Sequence, residues 1–138
     1  MRRVVLTHLD WDHAGGLERF PNTEVLVHRP EHEFAQKFMG KTLTESGDVR
    51  LVPIPGHSIG QVGVIVRTDD VALFFAADHA LRQDWFVEDY EAGRLPMLGA
   101  LFLPKLAAET SRRIHRFVEE VSTVFIPSHD ADAEARIA

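Results

Sequence analysis

The sequence predicts an α/β fold, with strands and helices alternating along one domain over residues 1–138. Three observations carry that reading. Short β-branched and apolar runs alternate with helix-like segments. The composition, 45% apolar and 26% charged over 138 residues, suits a soluble domain long enough to bury a core. Finally, His and Asp residues fall just beyond the ends of several of the runs. In open α/β sheets that edge is where sites assemble.

The elements follow in order. Arg3 to Thr7 reads as a short buried strand. The segment from His8 to His13 reads as extended, and Ala14 to Phe20 as a short helix stopped by Pro21. Glu24 to His28 is a second strand. Pro30 suits a first helical turn, and Glu31 to Met39 continue it to Gly40. Val49 to Ile54 is a third strand. Gln61 to Arg67 and Val71 to Ala77 form a hairpin with Thr68-Asp69-Asp70 as its turn. The second of these strands is apolar on both faces, so it belongs in the middle of a sheet, although few strands are available to flank it. Leu81 to Phe102 has no clear period. Leu106 to Val121 is the clearest helix, with Ala107, Ile114, Phe117, Val118 and Val121 near one face. Thr123 to Pro127 is the last strand.

Composition also excludes. The net charge is −6, against the basic face of a phosphate-backbone binder, so no nucleic-acid partner is expected. No apolar run reaches the ~18 residues of a membrane span, and the apolar stretch after Arg2 and Arg3 is too short for a signal peptide. A cytoplasmic chain is the default expectation. The absence of cysteine rules out disulfides, thiolate ligands and a cysteine nucleophile. Eight histidines, several beside aspartates, point instead to a nitrogen–oxygen metal site.

The candidate ligands are His8, Asp10, Asp12, His13, His57, Asp78 and His129. The first four follow the first strand; His57, Asp78 and His129 each follow another. Alternation in an extended segment would set His8, Asp10 and Asp12 on one side. Gly15 and Gly16 let the backbone pass close by. Imidazole and carboxylate donors suit Zn²⁺, Fe or Mn²⁺. Seven candidates are too many for one tetrahedral ion and suit two, with Asp78 able to bridge. The other polar residues have simpler readings. His79 is a neighbour of Asp78, His28 and His32 are surface residues, and His115 lies on a solvated helix face. Asp130 and Asp132 cap the chain end or orient His129. Trp11 could line a substrate pocket, Trp85, Phe86 and Tyr90 pack, and Asp84 to Arg94 could loop over the site.

His8-Leu9-Asp10-Trp11-Asp12-His13-Ala14-Gly15-Gly16 resembles the His-x-His-x-Asp-His-x-Gly-Gly motif of the metallo-β-lactamase-fold hydrolases. Pro55-Gly56-His57-Ser58, Ala77-Asp78 and Pro127-Ser128-His129-Asp130 resemble its later motifs, in the same order. The resemblance implies an αββα sandwich of two halves, with most of the first half missing because the motif begins at residue 8. It implies two divalent metals, zinc first and Fe or Mn as alternatives. His8, His57 and Asp78 would hold one, and Asp12, His13, Asp78 and His129 the other. Asp10 stands where the family usually has a second His. It is either an oxygen ligand, favouring Fe or Mn, or a solvated carboxylate beside the site.

The function implied is a dinuclear metal hydrolase of a small ester, lactone or thioester, lactonase-like, with a metal-generated hydroxide attacking and Asp12 handling its proton. Two alternatives remain: a di-iron redox enzyme, as in the flavodiiron branch, and an inactive metal-binding fragment. The missing half also implies an exposed sheet face. The expectation is therefore a piece of a longer protein, with Met1 a misplaced start, or a homo-oligomer that covers that face.

Overall fold

The computed structural model describes residues 3–27, 46–80 and 103–137. The strand β1 (Arg3–Val5) pairs in parallel with β2 (Glu24–Leu26) as a two-stranded sheet. Between them lie a single helical turn, α1 (Trp11–Ala14), and a 3₁₀ turn over Leu17–Arg19. The second sheet has four strands in sequence order: β3 (Val49–Pro53), β4 (Val62–Arg67), β5 (Ala72–Ala77) and β6 (Thr123–Pro127). The first three are antiparallel neighbours and β6 runs parallel to β5. The long helix α2 (Pro104–Glu120) connects to β6, and a short α3 (Ala133–Ile137) follows it. The Val62 amide donates to Thr7 O (3.0 Å), joining the end of β1 to the start of β4.

The β4–β5 hairpin is as expected. Thr68 closes its turn, its amide and hydroxyl both donating to Val71 O. The β5 strand is central, as its two apolar faces require. The expectation of scarce flanking strands fails, because β4 and β6 cover both of its edges. One face of the sheet packs on α2. Phe74 is buried there between Phe117 and Phe125, ring centroids 5.9 and 5.8 Å away in edge-to-face contact, with Ile54, Ala76 and Ile114 around it.

Three other expectations change. The helical turn after β1 begins at Trp11, not Ala14, because the His13 and Ala14 amides both return to Asp10 O. Asp12 is therefore helical and does not alternate with His8 and Asp10 along an extended segment. Val121 is the C-cap of α2 and is exposed, so it leaves the apolar stripe. The α2 stripe is completed by two polar residues, Thr110 and Ser111, both buried. The expected helix at 30–39, His28, His32, and the segment 81–102 with Trp85, Phe86 and Tyr90 lie outside the described residues, as does the Trp11 side chain.

Candidate metal centre

All seven candidate ligands converge. His8 follows β1, and α1 carries Asp12 and His13. His57 lies beyond β3, Asp78 directly follows β5, and His129 lies beyond β6. Asp78 sits in the middle. One oxygen, Oδ1, is 3.2 Å from His13 Nε2. The other, Oδ2, is 3.5 Å from His129 Nε2, 3.8 Å from His8 Nε2 and 3.9 Å from His57 Nε2. On one side, His8, His57 and Asp78 bring donor atoms within 4.8 Å of one another; on the other, Asp12, His13 and His129 do the same. Asp12 Oδ2 lies 3.6 Å from His13 Nε2 and 3.8 Å from His129 Nε2. Asp10 leans on the first group, its Oδ2 3.0 Å from His57 Nε2 and 3.7 Å from His8 Nε2.

These separations fit metal ions. Most are too long for hydrogen bonds. A tetrahedron with metal–ligand bonds of about 2.0–2.2 Å has edges of roughly 3.3–3.6 Å, and the separations here, 3.0–3.9 Å, straddle that range. His8 sharpens the test. Its ring is fully buried, and its Nε2 has no hydrogen-bond partner among the described residues. A buried orphan nitrogen is costly unless something binds it. The donor set, imidazole and carboxylate without thiolate, suits Zn²⁺, Fe or Mn²⁺.

The local backbone aims these groups. Ala77, at the end of β5, has φ of +46°, a left-handed conformation that a non-glycine residue adopts at a cost of about 1–2 kcal/mol. The pairing with β6 shifts register between Phe75 and Ala77, so β5 bends where it delivers Asp78. Gly56, just before His57, has no room for a side chain. A Cβ there would lie 2.8 Å from Ala107 Cα of α2.

Polar neighbours tune the cluster. Burial works to raise the pKa of Asp78, but the hydrogen bond donated by Ser128 Oγ and the nearby His13, His129 and His8 outweigh it, and the pKa is lowered. His8 is shifted down, first by burial and then by His13, so its ring favours the neutral, ligating form. Thr7 Oγ1 and His8 Nδ1 share a hydrogen bond of 3.1 Å, which leaves Nε2 facing the cluster.

His79 stands apart from the ligands. It is fully buried and its Nε2 shares a 2.9 Å hydrogen bond with Ser111 Oγ on α2. Burial, with a smaller contribution from His115, lowers its pKa to about 3. His115 is thus half-buried and electrostatically coupled to His79, not on a freely solvated face. Asp130 is buried and accepts from Arg136 and from the Asp132 amide, so it ties the loop after His129 to α3. Sequence reasoning passed over Thr7, Thr110, Ser111 and Ser128. The spacing of Ala107, Thr110, Ser111 and Ile114 is itself the signal that Thr110 and Ser111 belong to the buried face.

Comparison with known proteins agrees with this geometry. Residues 2–43 match the family described as the metallo-beta-lactamase superfamily. The chain is 26% identical to an N-acyl homoserine lactonase of Bacillus thuringiensis, over 95% of this chain and 56% of that protein. It is also 26% identical to the N-acyl homoserine lactonase AttM of Rhizobium radiobacter, over 98% of this chain and 60% of the relative. Among solved structures, a variant of the B. thuringiensis AiiA protein with N-decanoyl-L-homoserine bound superposes with a TM-score of 0.75 at 24% identity, covering 98% of this chain and 58% of the other. AidC, a dizinc quorum-quenching lactonase in complex with its product, superposes at 0.69 and 15% identity, covering 95% and 58%. The chain is similar to the metallo-β-lactamase superfamily over residues 2–43, and its fold is the one these solved structures share. The curated relatives that it is similar to are N-acyl homoserine lactonases. It spans a little over half the length of the curated relatives it matches.

Proposed function

We propose that this chain carries the dinuclear metal centre of a hydrolase that opens a small lactone or ester, of the N-acyl homoserine lactone class. The observation that supports it most is Asp78, whose two oxygens face both donor groups at 3.2–3.9 Å. His8, His57 and Asp78 would hold one ion, with Asp10 beside it; Asp12, His13 and His129, with Asp78, would hold the other. Zinc is the first candidate, on the chemistry of the donors and the dizinc neighbour. Bound cations supply a Lewis acid for the carbonyl and lower the pKa of water toward ~7. Asp12, partly exposed, is placed to accept the proton of the attacking water. A recess of about 310 Å³ beside His13, walled by Phe75, Ile126 and Pro127, offers apolar surface for a small substrate.

The test loads purified chain with zinc and offers N-hexanoyl homoserine lactone. Each ring opening releases a proton near neutral pH, which an indicator dye follows. Turnover that chelation abolishes and zinc restores is the expected result. Two bound ions with no turnover on a panel of lactones and esters would instead support a metal-binding module without hydrolase activity. A di-iron redox centre is the second reading, favoured by the Asp10 carboxylate 3.0 Å from His57. Two irons and no zinc in protein grown without added zinc would support it.

A further inference from the structure

The two loops that deliver His57 and Asp78 share an anchor. The anchor is α2, and it uses a pair of buried hydroxyls on consecutive residues. Thr110 Oγ1 donates to Pro55 O at 2.7 Å, and Ser111 Oγ shares its 2.9 Å hydrogen bond with His79 Nε2. Pro55 lies two residues before His57, and His79 directly follows Asp78. The contact is reinforced at Gly56, whose carbonyl accepts from the Leu103 amide (3.2 Å) and whose Cα face is pressed against Ala107. Thr110, Ser111 and His79 are nearly or fully buried, at 2%, 6% and 0% exposure. A helix facing an apolar sheet needs neither hydroxyl for packing. These two occupy core positions, and each is spent on a loop that carries a ligand.

We infer that Thr110 and Ser111 are positioning residues: they fix the separation of His57 from Asp78 and so set the metal affinity of the His8–His57–Asp78 group. The inference rests on the metal-centre reading above and adds a determinant to it. The Asp12–His13–His129 group receives its residues from α1 and from the loop after β6, neither of which the Thr110–Ser111 pair touches through these bonds. Thr110 anchors only the His57 loop, so its loss should weaken one ion and spare the other; Ser111 acts beside Asp78, which faces both groups, so its loss should weaken the first ion and reach the second as well. Groups that orient metal ligands typically change affinity by about 10–100-fold when removed.

The experiment titrates zinc-loaded chain with a chelator of known affinity and reads two release phases. His57→Ala identifies the phase that belongs to the His8–His57–Asp78 group, since that phase disappears. Thr110→Val, which keeps the shape and removes the hydroxyl, and Ser111→Ala should each weaken that phase about tenfold or more. With Thr110→Val the other phase should stay within about twofold, and Thr110→Ser, which keeps the hydroxyl, should keep the unsubstituted affinity. Melting of the metal-free proteins is measured alongside. Lower melting with an unchanged His57-dependent phase would overturn the inference, because the hydroxyls would then be structural only. Equal weakening of both phases by Thr110→Val would overturn it too. If the unsubstituted chain shows no release phase at all, the metal-centre reading fails, a result distinct from either of those.

Discussion

At the residue scale, Asp10 and His79 show how position decides chemistry. Asp10 replaces an imidazole with a shorter, charged donor, and its oxygen reaches His57 at 3.0 Å. Asp10→Ala should weaken the ion of the His8 group and leave the Asp12–His13–His129 group occupied. Asp10→His should shift preference toward zinc over iron or manganese. Metal analysis of the two variants checks both statements; loss of both ions together, or of neither, would contradict them. His79 is neutral because burial disfavours its charged form, and its pKa of about 3 lies below the ordinary 6.5. The unfolded chain therefore binds more protons between those values, so this residue makes stability rise with pH through that window and fall as pH drops from 6.5 toward 3. His79→Gln should remove about 2 kcal/mol of the stability difference between pH 7 and pH 5. Urea unfolding of chelator-treated protein at the two pH values measures it.

At the element scale, β5 does the most to place the site. It is paired on both edges, buried against α2 through Phe74 and Ala76, and bent at its end so that Asp78 turns into the cluster. The bend runs through Ala77 at a positive φ. Glycine adopts that conformation without the Cβ penalty, though it loses more chain entropy on folding. Ala77→Gly should leave stability unchanged or raise it by up to about 1 kcal/mol. Ala76→Gly, one residue earlier in the fully buried core, should cost about 1 kcal/mol or more. Denaturant midpoints of the two variants provide the comparison, and an equal loss in both would show that the left-handed residue is not strained.

At the scale of the whole molecule, the candidate ligands come from separate places along the chain, so an ion bound to them would hold β1, α1 and the loops after β3, β5 and β6 together. An ion at about 100 times its dissociation constant stabilises the folded state by about 2.7 kcal/mol. Chelation should therefore lower the melting midpoint by roughly 10 °C. Calorimetry with and without chelator tests this, and an unchanged midpoint would count against bound metal. The face of the sheet opposite α2 carries Phe75, more than a third exposed, while Leu9, Val25, Ile59 and Ile137 are exposed elsewhere. Apolar residues exposed singly are ordinary, but an open apolar sheet face favours association. Sedimentation velocity should show concentration-dependent self-association, against a single monomer boundary at every concentration.

The candidate ligands could be picked out in the sequence because metal chemistry favours His and Asp, and their position past strand ends is a matter of local pattern. The hairpin, β6 and α2 were legible for a similar reason, since period and turn residues are local properties. The start of α1 was not. The helical turn there is closed by Asp10 O, and nothing in the run from His8 to His13 has the apolar period that marks a helix. The anchoring roles of Thr7, Thr110, Ser111 and Ser128 were hidden because a hydroxyl looks alike in sequence whether it meets water or a buried loop. Only the tertiary structure brings α2 beneath Pro55 and His79, and only there does Asp78 acquire a donor group on either side. Residue type and local period are written along the chain, whereas the sharing of one carboxylate between distant segments depends on how those segments pack.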